Sequence, residues 1–174
     1  MPEFRWLNLE PHPSSVTMGI NGLRFGYALQ ADLWMFGFEV HGELETLNLA
    51  RMRGPQRGDR LWEHSCFEFF AAGANGGYRE FNFAPDGRYA AYDFDAYRQG
   101  QKAVGGPVLA EMSSSCEARR YRLEVTLTPP PAPRHGGPAA ILRDTQGRRS
   151  WWALRHGPGP ADFHHPRHYV IPLQ

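Results

Sequence analysis

Long apolar runs are absent from this 174-residue chain, and none reaches the length that a bilayer-spanning helix needs. No membrane partner is therefore expected. Charge of one sign is missing too: 19 Lys plus Arg stand against 18 Asp plus Glu, a formal net charge of +1. So even a balance supplies no broad field to draw nucleic acid. Cysteine is scarce, with Cys66 and Cys116 alone, too few for a disulfide framework; each reads as a small buried hydrophobe or a free thiol. The start, Met1-Pro2-Glu3-Phe4-Arg5, has no basic segment followed by an apolar stretch, so it does not read as a secretory signal and a cytoplasmic location is expected. No long amphipathic helix and no internal repeat is visible either.

What is plentiful is aromatic, glycine and proline. The 13% aromatic content, with 19 Gly and 15 Pro, suits many short strands joined by tight turns. The length suits a single domain over residues 1–174, and the expected fold class is all-β: a β-sandwich, jelly-roll-like, of about eight to ten antiparallel strands. Asn21-Gly22 carries a two-residue hairpin signal, with Leu23, Phe25, Tyr27 and Leu29 on one face of its second arm. Further strands are expected at 34–41, 65–70, 78–83, 88–94, 121–127, 139–142, 150–154 and 169–171, with a basic surface loop at 51–60 and a short helical turn near 97–102.

The segments 65–70 and 78–83 hold the chemistry. Read with the two-residue period of a strand, they put Phe67, Phe69, Phe81 and Phe83 on one face, which must be core, and Glu68, Glu80 and Asn82 on the other. The register expected sets Glu68 opposite Glu80 and Cys66 opposite Asn82, and the next strand brings Tyr92 beside Glu80 and Ala90 beside Asn82. Two facing carboxylates repel, so an arginine (Arg98 or Arg155), a metal ion, a retained proton or a ligand's donors must compensate. Either the glutamates are tied internally, or the face takes a hydroxyl-rich ligand, with Trp62 or Tyr92 stacking on it.

The block Arg60-Leu61-Trp62-Glu63-His64-Ser65-Cys66-Phe67-Glu68-Phe69-Phe70, followed by Tyr78-Arg79-Glu80-Phe81-Asn82-Phe83-Ala84-Pro85-Asp86-Gly87, resembles the bacterial DOMON-like proteins. These in turn resemble family 9 carbohydrate-binding modules. The likeness continues through Ala90-Ala91-Tyr92-Asp93-Phe94 with Tyr97-Arg98, and through Trp151-Trp152-Ala153-Leu154 with Pro160-Ala161-Asp162-Phe163-His164-His165-Pro166. It implies a jelly-roll-like sandwich that binds small molecules, usually sugars or haem, without catalysis, and it points to Trp62, Glu63, His64 and Glu68 as ligand positions. A carbohydrate is the partner it implies. No cofactor is expected, with haem or a structural calcium ion as the alternatives.

Other constellations remain open at this level. His156, Asp162 and His164 form the alternative metal set, because adjacent His164 and His165 would point to opposite faces of a strand. Trp151-Trp152 splits likewise, one ring to the core and the other, Trp152, to a ligand platform. The full candidate ligand set is Trp62, Glu63, His64, Glu68, Glu80, Asn82, Tyr92, Arg98 and Trp152. Glu68 and Glu80 would also serve a glycoside hydrolase, although nothing marks a general acid. Cys66 with His64 lacks a third orienting group, which argues against a nucleophile.

Overall fold

The computed structural model describes residues 3–17 and 19–173. These form thirteen strands: β1 (Arg5–Pro11), β2 (Ile20–Leu29), β3 (Trp34–Gly42), β4 (Gln56–Arg57), β5 (Cys66–Ala72), β6 (Tyr78–Phe83), β7 (Arg88–Phe94), β8 (Lys102–Ala103), β9 (Leu109–Glu117), β10 (Arg120–Leu127), β11 (His135–Arg143), β12 (Arg149–Ala153) and β13 (Ile171–Pro172). The only helical pieces among them are three single 3-10 turns, at Leu44–Thr46, Leu61–Glu63 and Pro166–His168. No helix is long and apolar enough to cross a membrane.

One layer runs β9-β10-β3-β2-β1 and the other β12-β11-β5-β6-β7-β4, with β13 added beside β11 and β8 beside β7. β1 joins them: Arg5 to Leu9 pair with β2, while Glu10 and Pro11 pair with β12. The expected all-β sandwich is found, with more strands than eight to ten, and the pairing of β4 with β7 is parallel. β9 escaped notice because its sequence, Leu-Ala-Glu-Met-Ser-Ser-Ser-Cys-Glu, is that of an edge strand, polar along most of its length with Met112 its one buried residue.

The Asn21-Gly22 hairpin is a correction. Both residues lie inside β2, where the register with β3 shifts between Ile20 and Gly22, so Asn21 is the extra residue of a bulge. The chain turns instead at Gln30, whose N–H donates to the Leu33 carbonyl at 2.9 Å. Residue 18, in the expected first arm, lies outside the described residues. In place of a helical turn over 97–102, residues 97–101 form an irregular turn with an Ala96–Gln99 bridge and Lys102 opens β8, and the last strand is Ile171–Pro172 in place of 169–171.

The inner faces meet through rings. Phe69 lies 4.3 Å from Phe36, 5.6 Å from Phe25 and 6.0 Å from Trp34, while Phe67 lies 5.1 Å from Phe38, centroid to centroid. Phe67, Phe69, Phe81 and Phe83 are all buried there, as the alternation predicts. A second apolar cluster lies on the opposite side of β5, β6, β7 and β11. It gathers Leu61, Phe70, Tyr78, Phe94, Phe163 and Tyr169, so the loop before β5 and the segment 155–170 cover that face.

Gly137 on β11 permits this cover. A Cβ there would stand 2.2 Å from the carbonyl oxygen of His168, which no side chain could relieve because both groups are backbone. Gly137→Ala is expected to lower stability by about 1–3 kcal/mol, the usual cost of overpacking. A urea midpoint equal to that of the parent protein would contradict the close seating of the segment.

Candidate functional site

The face of β5 and β6 opposite the phenylalanine core carries the acidic residues. The observed register pairs Glu68 with Asn82 and Phe70 with Glu80, two residues away from the expected Glu68–Glu80 pairing. β5 runs on to Ala72, and a tight loop follows in which Gly73 N–H donates to the Gly77 carbonyl at 3.0 Å and Gly76 has φ +83°. A slip of two keeps every side chain on its face, so the phenylalanines and glutamates are sorted as expected. It also makes the two carboxyls diagonal neighbours, with Cα atoms about 7–8 Å apart instead of directly opposed. Tyr92 is beside Glu80 and Ala90 beside Asn82, as the sequence predicts.

This face is covered. Glu68 and Glu80 are only 3% and 4% exposed, and what remains visible of them lines a cleft of about 360 Å³, within the range of small-ligand pockets. Trp62, Phe94, Arg98, Trp151, Phe163 and His164 also line it. Trp62 stands on the 3-10 turn Leu61–Glu63 and rests edge-on against Tyr92 at 5.9 Å. The turn is entered through Arg60 at φ +53°, and Arg98 at the rim has the same φ, a conformation that costs a non-glycine residue about 1 kcal/mol. Arg98 lines the cleft, and Arg60 leads into the turn that carries Trp62.

Among the described residues neither of these glutamates has an arginine partner. The Arg98 guanidinium goes to Asp162 at 2.9 Å, and the exposed Arg155 forms no ion pair with any of them. Glu39, the third buried glutamate, is a useful contrast. On the outer face of the other layer it meets His41 at 3.2 Å, Arg122 at 3.4 Å and Arg24 at 3.8 Å. Glu80 instead accepts from Asn82 Nδ2 at 2.9 Å, and the other polar atom of Asn82, Oδ1, is buried with no partner.

Burial dominates the protonation of the cleft. It raises the Glu68 carboxyl well above its usual range, aided by the charge of Glu80. It lifts Glu80 to about 7 against the opposing Asn82 hydrogen bond and the Arg98 charge. Burial, then Arg98, lowers His164 to about 4, so at neutral pH its 3.7 Å approach to Glu80 Oε2 is not an ion pair. The Tyr78 hydroxyl accepts from Arg98 N–H at 3.2 Å and shares a 2.7 Å hydrogen bond with His164 Nδ1. The other ring nitrogen of the histidine, Nε2, faces Glu80. Burial, with the neighbouring carboxyls, also raises the Cys66 thiol, which removes it as a nucleophile.

Of the sequence candidates, the structure brings Trp62, Glu68, Glu80 and Arg98 to the cleft wall. Asn82 lies beneath, holding Glu80, and Tyr92 lies behind Trp62, its hydroxyl donating to Asp59. Glu63 pairs with Arg60, and its carbonyl accepts from Arg149 at 3.1 Å. His64 is exposed and lines a separate depression with Ser65, Asp86 and Arg88. Trp152 is a correction: it is buried between the layers with Nε1 donating to Ser150 at 2.8 Å, and Trp151 is the ring that reaches the cleft. The split by alternation holds, with the two faces exchanged.

The alternative metal set is also corrected. The described residues contain no group of three His, Cys, Asp or Glu placed to hold a metal ion. His156 bonds the Glu10 carbonyl, Asp162 serves Tyr97 and Arg98, and His164 serves Tyr78. The cysteines are free, Cys66 buried and Cys116 exposed. Sequence reasoning missed Phe94 and Phe163 as cleft residues. Phe94 alternates onto the same face as Tyr92 and Glu80 and was legible; Phe163 sits in an irregular segment with no period to read.

No family model matches the chain, and no curated protein matches it. Among solved structures, a candidate carbohydrate-binding protein from Bacteroides uniformis superposes with a TM-score of 0.63 at 15% identity, over 95% of this chain and 84% of that chain. A family 9 carbohydrate-binding module from Caldicellulosiruptor kristjanssonii, in complex with glucose, gives a TM-score of 0.45 at 13% identity, over 87% of this chain and 76% of that chain. What the first likeness establishes is the architecture: the chain has an all-β, curled sandwich fold that it shares with that protein.

Proposed function

We propose that this chain is a non-catalytic binding domain whose cleft takes a sugar or sugar-like metabolite. The observation that carries the reading is the pair Glu68 and Glu80, acceptor groups buried on the floor of an aromatic-walled cleft with no arginine tied to them. Ligand hydroxyls donate to such acceptors, and the apolar face of a sugar ring lies against an indole such as Trp62. The described name of the Bacteroides uniformis protein, which shares the fold, supports the same class of ligand. The resemblance of the central block to DOMON-like proteins and family 9 modules adds to it.

Titration of the purified protein with a panel of mono- and disaccharides, followed by tryptophan fluorescence and calorimetry, tests the reading. At least one member is expected to saturate, and Trp62→Ala should weaken that binding about tenfold or more, roughly 1.4 kcal/mol. A panel with no saturating member, or unchanged binding by the variant, would sink it. The reading invokes no cofactor. After incubation with haem and removal of the excess, no Soret band is expected; a stable band would move the assignment to haem.

A further inference from the structure

The carboxyls on the cleft floor have no cationic partner among the described residues. Arg98 and Asp162 at its rim neutralise each other through their 2.9 Å pair, and the arginine lies 5.7 Å over the Tyr97 ring. Glu68 and Glu80 on the floor are left over. Among the described residues no lysine or arginine comes within ion-pair distance of either, while Glu39, a buried glutamate in a structural role, has two arginines and a histidine around it.

Glu68 is the sharper case. It is 3% exposed, it lines the cleft, and the neighbour on its own face of β5 is the Cys66 thiol, which donates to the Phe67 carbonyl at 3.7 Å. The walls above it are the rings of Trp62, Trp151, Phe94 and Phe163, whose negative π faces attract a cation within about 6 Å. An acidic floor under aromatic walls is the complement of an ammonium group carried on a ring that has an apolar face.

We propose that the ligand of this cleft is a sugar-like molecule bearing a protonated amine among its hydroxyls, an amino sugar or aminocyclitol, with the ammonium seated at Glu68 and Glu80. This rests on the sugar-like reading above and narrows it. The groups facing the two carboxyls are Cys66 on β5, Tyr78 on β6, Tyr92 on β7, Arg98 on the following turn, and His164 and Tyr169 on the covering segment, with Asp162 tied to Arg98. None supplies an unpaired cation near neutral pH. Burial therefore favours the protonated form of both carboxyls in the free cleft, and a bound ammonium drives those protons into solvent.

The test is calorimetry near neutral pH with glucosamine, galactosamine and mannosamine, each against its parent hexose and its uncharged N-acetyl derivative, in buffers of differing ionisation enthalpy. At least one amino sugar should bind about tenfold more tightly than both neutral counterparts and release protons. Glu68→Gln, confirmed folded by its melting transition, should erase most of that preference. If the neutral hexose binds as tightly as the amino sugar, or no protons are released, the amine proposal falls and the sugar reading stands. If no sugar of either kind binds, both fall.

Discussion

Phe69→Ala is expected to cost this fold about 3–5 kcal/mol, a large part of the 5–15 kcal/mol that holds a typical domain together. The ring is 1% exposed and touches Phe25, Trp34 and Phe36 of the facing layer, so its removal opens a void where the two sheets meet. Neighbouring rings held on separate strands cannot all collapse into it. Urea unfolding should show the loss as a lower midpoint, and Phe69→Leu should recover part of it. A loss under about 1 kcal/mol would contradict the cross-layer packing, since even deleting one buried methylene costs nearly that much.

Glu80→Gln should act in the opposite direction. A carboxyl whose pKa rises on folding takes up a proton then, so ionising it as pH rises from 4.5 to about 7 works against the fold. The cost accumulates to about 3 kcal/mol, and glutamine escapes it. His164 has the reverse linkage: its pKa falls on folding from 6.5 to about 4, so it withdraws stability as pH drops through that interval. Between about pH 4.5 and 6.5 the folded protein keeps one proton on Glu80 and the unfolded chain keeps one on His164, so their effects cancel. The parent protein should accordingly show a flat contribution from this pair across that window.

The variant removes one half of the cancellation. Glu80→Gln is expected to be about 3 kcal/mol more stable near pH 7 and to lose that advantage by pH 4.5, as the titration of His164 is no longer offset. Chemical denaturation across pH measures both curves. A variant less stable than the parent at pH 7, or an advantage independent of pH, would show that the carboxyl is not held protonated by burial. The same substitution should weaken ligand binding about tenfold or more, since a site that stores an unpaired carboxyl trades stability for function.

The cleft was only half legible from residues. Glu68, Glu80 and Trp62 stand out because alternation assigns faces and because a carboxylate on a strand flanked by phenylalanines demands a partner. Alternation sorts the faces but does not say that one is covered, and Glu68, Glu80 and Asn82 are all buried. Their cover comes from residues 155–170, whose Gly and Pro content gives no periodic signal. Arg98 and Asp162 meet across 64 residues of sequence, which no local pattern encodes.

What the sequence by itself determined is local and periodic. The bounds of β6 and β7 follow from their turn residues, and the phenylalanine core of the central hairpin follows from a side-chain period of two. The tertiary structure alone decided the two-residue register between β5 and β6, which that period cannot see because it leaves every face unchanged. It also decided which of Trp151 and Trp152 turns inward, the docking of the C-terminal segment against Gly137, and the linking of the layers through β1. The register follows from how the tight loop 73–77 closes, and the others from contacts between residues far apart in the chain, where packing and loop closure, not local preference, set the energy.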